Sequence, residues 1–206
     1  MKTLIAAVLC LASAYGNAGV ITNFTGDFAL SNFSQAPNGG MISTDNAPLA
    51  VALTSSNSGM PIYEWWYEPL NDVDNMDWAE ITIKLKRNYF IKFNYDYLTS
   101  DVGGVMGLTY YDPFGYTVND VFHQVSDVGP FVPSHLRGTV TLRVNAGDTF
   151  GLRAESMDSS GGSATTNISD FSAMEIPEPG SPALLGLGFF AFTVARKHSH
   201  RVWKYS

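Results

Sequence analysis

Three aspartates stand close together in the segment Asn71–Asp77, "NDVDNMD", where they could bind a cation. Asp72, Asp74 and Asp77 would lie within one loop. Ca²⁺ takes about six to eight oxygen ligands from carboxylates and carbonyls. The segment lacks the glycine and the terminal bidentate glutamate of an EF-hand loop, so the alternative is a solvated acidic turn. We therefore expect no cofactor, and calcium is the one possible candidate.

Five aromatic residues flank these aspartates. They are Tyr63, Trp65, Trp66, Tyr67 and Trp78. Flat apolar ring faces suit the CH surfaces of sugar rings, which makes Trp65, Trp66 and Trp78 candidates for sugar stacking. Consecutive residues on a strand face opposite ways, so one of Trp65 and Trp66 would be buried and the other exposed. Packing in a hydrophobic core is the alternative for most of these rings.

The middle of the chain offers little to a nucleophilic or zinc enzyme. Between Gly19 and Glu175 the only histidines are His123 and His135, and no Gly-x-Ser-x-Gly segment occurs. Zinc needs three or four clustered ligands, which two histidines without cysteine do not supply. Carboxylates are abundant, but abundance does not indicate the spaced pair of a glycosidase. The sequence predicts no catalytic residue and a protein that is not an enzyme, with a secreted hydrolase as one alternative.

The span Gly19–Glu175 is strongly acidic. It holds seven Lys and Arg residues and 18 Asp and Glu residues, so its formal net charge is 7 − 18 = −11. Such a surface would repel the phosphates of a nucleic acid. It suits a solvated extracellular protein. We therefore expect no nucleic-acid partner.

Alternation of apolar and polar residues with a period of two is the main pattern of this span. The segment Glu80–Lys86 puts Ile81, Ile83 and Leu85 on one face, and Tyr89–Leu98 alternates in the same way. Ser163–Phe171 reads as a Thr-rich strand, and no ten-residue stretch has helical periodicity. Short strands separated by Gly, Pro, Asn and Ser predict an all-β fold, an antiparallel, jelly-roll-like β-sandwich.

Two turns are predicted within this fold. Gly138–Ser156 alternates on both sides of Asn145–Asp148, where Gly147 is free to take positive φ, which predicts a β-hairpin. Asp112–Gly115, "DPFG", reads as a type I or II turn with proline at its second position.

The N-terminal residues 1–18 have the pattern of a secretory signal peptide. Lys2 provides a positive start, Leu4–Leu11 is apolar and too short to span a membrane, and small residues at Gly16 and Ala18 suit a signal peptidase. Cleavage would remove Cys10, the only cysteine. The mature body, predicted as residues 19–175, would then fold without a disulfide.

The C-terminal segment combines an apolar run with a basic end. Ala183–Ala195 holds 13 residues between Pro182 and Arg196. As a helix it would be about 20 Å long, against a hydrocarbon core of about 30 Å. Arg196 and Lys197 begin a basic flank, and clustered cations after an apolar helix mark the cytoplasmic side of a membrane. The pattern predicts a short membrane helix rather than a core helix.

The order of features from Pro177 onwards is similar to that of a known sorting signal. Pro177, Glu178 and Pro179 precede the apolar run, which precedes Arg196 and Lys197. This order resembles the PEP-CTERM sorting signal of Gram-negative bacteria, here residues 176–206. The resemblance implies export, a transient anchor in the inner membrane, processing by an exosortase and delivery to the cell surface or extracellular matrix.

Parts of the body, such as "FTGDFALSNFS" and "VNAGDTFGLRAES", also look like domains that often precede such signals. The leading hypothesis is an exported envelope or matrix protein whose β-sandwich is a non-catalytic structural or adhesive unit, with surface polysaccharide as a candidate partner. The alternatives are a carbohydrate-binding module, calcium-dependent or not, and the secreted hydrolase.

Overall fold

Alternating apolar and polar residues form the strands of the body, as the period of two predicts. The computed structural model describes residues 19–57, 77–99, 112–126, 135–156 and 162–177. Within these ranges the regular structure consists of strands and two short 3-10 turns, Gly26–Phe28 and Leu30–Asn32. Val20–Glu175 forms one compact unit.

The strands in chain order are β1 Val20–Thr22, β2 Ser34–Asn38, β3 Met41–Ser43, β4 Ala50–Thr54, β5 Asp77–Lys84, β6 Tyr89–Thr99, β7 Phe114–Val118, β8 Val121–Gln124, β9 His135–Val144, β10 Thr149–Ser156 and β11 Ala164–Glu175. They form two antiparallel sheets. Sheet A has the order β3-β4-β11-β6-β9, with β1 also paired to β11, and sheet B has the order β2-β5-β10-β7-β8. The predicted all-β, antiparallel, jelly-roll-like sandwich is confirmed.

The predicted apolar faces are the buried ones. Ile81, Ile83 and Leu85 are buried, and so are alternate residues of β6 from Tyr89 to Phe93. The Thr-rich strand is also present, as β11. Side chains from the inner faces of both sheets therefore make one hydrophobic core, as expected when two sheets pack face to face.

The segment before β2 closes one end of this core with aromatic rings. Phe24, Phe28 and Phe33 are buried there. Phe24 stacks on Phe171 with ring centroids 4.8 Å apart, and Phe28 meets Tyr89 edge-on at 5.0 Å. This packing holds the 3-10 turns against the start of β6.

The predicted hairpin over Gly138–Ser156 is wrong. The turn exists, with the N–H of Asp148 donating to the carbonyl of Asn145 at 3.1 Å and Gly147 at φ 90°. However, β9 before it pairs with β6 in sheet A, whereas β10 after it pairs with β5 and β7 in sheet B. The turn thus connects the two sheets, and each strand pairs along its length with strands of its own sheet.

The predicted turn over Asp112–Gly115 is also wrong. Phe114 and Gly115 already belong to β7, where they pair with Ala154 and Arg153 of β10. Extended pairing along β10 overrides the local preference of the Pro-x-Gly sequence for a turn. In the ranges that the structure describes, no helix is long and apolar enough to cross a membrane. The predicted C-terminal helix lies outside those ranges.

Candidate functional site

Three charged side chains meet on the outer face of sheet B. Arg153 of β10 lies directly opposite Glu80 of β5 and donates from Nη2 to its Oε2 at 3.1 Å. Its Nη1 donates to Glu155 Oε1 at 3.2 Å. We call Glu80, Arg153 and Glu155 the charged triad. The side chain of Arg153 is only 17% exposed, so these contacts are much less screened than surface ion pairs.

A glycine allows a fourth side chain to join the charged triad. Thr117 of β7 donates its hydroxyl hydrogen to Glu80 Oε1 at 2.9 Å, although β10 lies between β7 and β5. The bond passes over Gly151, where an added Cβ would overlap Thr117 Oγ1 and come within 3.0 Å of Glu80 Oε1. The contact between Thr117 and Glu80 therefore requires glycine at position 151.

Burial and charge act in opposite directions on the pKa values of Arg153 and Glu155. Burial would lower the pKa of Arg153, but the hydrogen bond and charge of Glu80, followed by those of Glu155, raise it overall. Burial raises the pKa of Glu155, and the guanidinium of Arg153 only partly opposes this. Because one guanidinium holds both carboxylates, neither is placed as a free nucleophile or base. The arrangement suits the joining of strands more than acid-base chemistry.

Of the predicted metal and sugar residues, Asp77 and Trp78 lie in the described ranges, at the start of β5. Arg153 Cζ lies 5.6 Å from the ring centroid of Trp78, so the guanidinium covers one ring face. The carboxylate of Asp77 packs against Gly39, where an added Cβ would lie 2.6 Å from Asp77 Cγ. Asp72, Asp74, Trp65 and Trp66 lie outside the described ranges. Calcium binding and sugar stacking therefore stay predictions.

Among described residues, no group of three or more His, Cys, Asp or Glu side chains could hold a metal ion. The two body histidines have separate surroundings. His123 stacks on Tyr116 with centroids 4.9 Å apart. His135 Nε2 contacts Asp96 Oδ1, and Arg137 donates to the other oxygen of that carboxylate at 2.9 Å.

His135 and Asp96 are residue types of a catalytic triad, but they lack the burial that such a triad has. Their side chains are 45% and 39% exposed, whereas a triad aspartate is buried. The hydrogen bond from His135, followed by the charge of Arg137, holds the pKa of Asp96 below its usual value. Asp96 is thus a solvated carboxylate on the outer face of sheet A.

The outer face of sheet A also carries a polar groove of about 360 Å³. Thr139 donates to Asn94 Oδ1 at 2.6 Å, and Asn94 donates to Asp170 Oδ2 at 2.8 Å. This chain of hydrogen bonds crosses β9, β6 and β11. Within the groove, Thr139 binds Asn94 and Arg137 binds Asp96, so these side chains offer a fixed polar surface.

A larger cavity of about 510 Å³ lies between the 3-10 turns and β5. Asp27, Asn32, Thr82 and Lys84 are among its polar lining residues. The hydroxyl of Tyr89 donates to Asp27 Oδ2 at 2.9 Å. Burial, followed by this bond to Asp27, raises the pKa of Tyr89 to about 12. The volume is within the range of small-molecule pockets, about 300–1,000 Å³.

Several of these residues were not predicted as site residues from the sequence, although part of the signal was there. Alternation places Glu80 on the face opposite to that of Ile81. It also places Arg153 and Glu155 on one face of their strand, opposite to that of Leu152. It does not show that β5 and β10 are neighbours. The contacts within the charged triad follow only from that pairing.

At the C-terminal end, β11 runs to Glu175, which pairs with Arg87 at 2.6 Å. Pro177 is described and has no strand assignment. Glu178, Pro179, Arg196 and Lys197 lie outside the described ranges. The extents predicted for the signal peptide and the sorting signal also stay predictions.

Comparison with known proteins identifies this C-terminal segment. The family model of the PEP-CTERM protein-sorting motif matches residues 175–197. No curated protein sequence matches the chain.

Two solved structures show a distant likeness. A family 35 carbohydrate-binding module from Clostridium thermocellum is 12% identical with a TM-score of 0.36, and the match covers 77% of this chain and 100% of the module. An arabinose-bound α-L-arabinofuranosidase is 13% identical with a TM-score of 0.35, and the match covers 81% of this chain and 26% of the enzyme. TM-scores this low carry no conclusion about ligand or activity.

Proposed function

We propose that this chain, which carries a PEP-CTERM protein-sorting motif, is an envelope or extracellular-matrix protein whose β-sandwich serves as a structural or adhesive unit. The motif marks an exported, transiently membrane-anchored protein of a Gram-negative bacterium that an exosortase processes. The observation that carries the proposal is the position of the motif. It begins at Glu175, the last residue of β11, so cleavage after that strand would release the sandwich with every described strand intact.

The non-catalytic role is supported by the chemistry of the described residues. Arg153 holds both carboxylates of the charged triad, and Asp96 and His135 form a solvated pair. A structural unit instead needs strands held together between widely separated positions. Glu80 and Arg153 supply such a link, and so do Asn94 and Asp170.

Processing can be tested in a host with and without its exosortase. We expect the wild-type chain to be shortened and to leave the inner membrane only when the exosortase is present. Replacing Pro177, Glu178 and Pro179 by Ala should leave the chain uncut in the membrane, because the prolines no longer keep the backbone extended. Val121→Ala, an exposed change on β8, is the control and should mature like wild type. Identical maturation of wild type and triple variant in both hosts would contradict the proposal.

A carbohydrate-binding module is the second candidate, and the 510 Å³ cavity favours it. Asn32, Thr82 and Lys84 offer donors and acceptors for sugar hydroxyls next to the buried ring of Phe28. Calorimetric titration with oligosaccharides from the host's own surface polysaccharide tests it. Binding that Thr82→Val and Lys84→Ala weaken, and that Thr139→Val on the far sheet leaves unchanged, would support it. Absence of heat with every oligosaccharide would reject it.

A further inference from the structure

Three exposed apolar side chains lie in one row across the outer face of sheet A. Val20 of β1 is directly opposite Met174 of β11, and Met174 is directly opposite Phe90 of β6. Their exposed fractions are 61%, 44% and 42%. We call these three residues the apolar row. Directly opposite neighbours on antiparallel strands have Cβ atoms about 5 Å apart, so the row is continuous.

Such continuity is unusual for exposed apolar residues. Seven large hydrophobic residues are exposed among those described, and three of them form this row. Single exposed hydrophobics are ordinary, whereas neighbouring ones form a patch that another surface can contact. The neighbours Ile21, Ile91 and Ala173 point to the core instead, so the row is not part of the core.

The apolar row lies at one end of the sandwich, where β11 ends and β6 begins. Met174 is the residue before the sorting motif, which starts at 175. Eight residues, 175–182, separate Met174 from the apolar run that begins at Ala183. Fully extended, that distance is at most about 30 Å. While the chain is anchored, Met174 cannot be farther than this from the predicted membrane segment.

Cations gather at the same end of an otherwise acidic body. Arg143 of β9 is exposed and lies directly opposite Phe90, so a positive charge stands at the end of the apolar row. Five of the seven Lys and Arg residues of Gly19–Glu175 lie at or close to the end of the sandwich where β6 begins. They are Lys84 at the end of β5, Lys86 and Arg87 before β6, Lys92 on β6, and Arg143.

Three carboxylates near this end are in contact with other groups, and one of them, Asp170, accepts a hydrogen bond from Asn94. Glu175 pairs with Arg87, and Asp27 accepts a hydrogen bond from Tyr89. Among the described residues neither Arg143 nor Lys92 forms an ion pair, so both can meet an external anion. Apolar side chains beside Lys and Arg are the combination that binds the interface of a bilayer with anionic headgroups.

We infer that the apolar row, with Arg143 and Lys92, docks the sandwich on the surface of an anionic lipid bilayer while the chain is anchored by its C-terminal segment. The inference rests on the proposed function, since it needs that anchor. The anchor confines the sandwich near the bilayer, so a small patch suffices because docking becomes intramolecular. Docking would hold the start of the sorting motif at the membrane surface until cleavage.

The test uses the full chain with Cys10→Ser, so that the only cysteine is the one introduced for labelling. Met174→Cys carries a fluorophore, and the chain is reconstituted into phosphatidylcholine–phosphatidylglycerol vesicles whose headgroups bear a nitroxide quencher. Leu98→Cys is the matched control, because Leu98 lies on the same outer face and is 55% exposed at the far end of β6. Met174 lies directly opposite Phe90, and Phe90 is eight residues before Leu98 on β6. The two labels are therefore about 26 Å apart along the strand direction.

We expect the label at 174 to lose most of its fluorescence and the label at 98 to keep it. Arg143→Glu should restore fluorescence at 174 without releasing the chain from the vesicles. Equal quenching at 98 and 174, or none at either in chains that float with the vesicles, would overturn the docking but leave the anchor intact. Chains that do not float would overturn both. Excimer formation between pyrene labels at 174 without lipid would assign the row to a second copy instead.

Discussion

Thr117 on β7 and Glu80 on β5 are hydrogen-bonded at 2.9 Å across the strand that separates them. The contact is local in space but spans 37 positions in sequence. It depends on Gly151 in the intervening strand and connects to the charged triad through Glu80. Three neighbouring strands of sheet B are thereby joined on their outer face by side chains as well as by backbone.

Gly151→Ala should destabilise the sandwich. The new methyl group would overlap Thr117 Oγ1 and lie 3.0 Å from both Glu80 Oε1 and Thr82 Cγ2, so the bond between Thr117 and Glu80 must open. We expect a loss of about 1–3 kcal/mol in the free energy of unfolding, measured by urea denaturation. Gly19→Ala, where an added Cβ meets nothing within 4 Å, is the control. Equal stability of the two variants would contradict the role of position 151.

Arg153→Met should be much more costly than Arg137→Met. Removing the guanidinium of Arg153 leaves two buried carboxylates without their cation, which costs about 3–5 kcal/mol. Arg137 is 69% exposed and pairs with an exposed Asp96, so its removal should cost about 0–1 kcal/mol. Urea denaturation of both variants checks this, and similar losses would show that the charged triad is an ordinary surface ion pair.

Glu155 should make stability depend on pH. Burial raises the pKa of its carboxyl in the folded state above the ordinary value of 4.5. Its contribution is therefore fully present below the unfolded pKa and is lost as pH rises through the folded pKa. Relative to Glu155→Gln, the wild-type free energy of unfolding should fall as pH rises from 4.5. A constant difference between wild type and variant across the acidic range would refute this.

Asp148 should have the opposite dependence. Its carboxylate accepts hydrogen bonds from Asn119 Nδ2 at 2.9 Å and from the N–H of Asn145 at 2.8 Å, and these hold its pKa below 3.8. The stabilisation is present above the unfolded pKa and is lost as pH falls through the folded pKa. Asp148→Asn should lower the melting temperature at neutral pH, and the gap to wild type should close in strong acid. Thermal melts at both pH values decide the matter.

Calcium should raise the melting temperature if Asp72, Asp74 and Asp77 bind it, because a ligand that binds only the folded state stabilises it by mass action. Replacing all three by Asn should abolish the gain from millimolar calcium. Asp45→Asn, at an exposed turn elsewhere, should leave the gain unchanged. Identical wild-type melts with and without calcium would remove the site.

The sequence predicted the faces of the strands better than their partners. Alternation identified Ile81, Ile83 and Leu85 as core residues, since every second residue of a strand faces the same way wherever the strand lies. It also suggested a hairpin at Asn145–Asp148, which the structure corrects. A short turn between two strands is compatible with pairing in one sheet or with passage to the other, and the local residues do not distinguish these outcomes.

By itself, the sequence determined the all-β class and the sorting motif, because both depend on residues that are close together along the chain. Only the tertiary structure brought Glu80 next to Arg153, 73 positions away, and aligned Val20, Met174 and Phe90 in one row. The order of strands in a sheet depends on how all the apolar faces are buried together. That choice is non-local, and so are the polar and apolar sites that it creates on the outer faces.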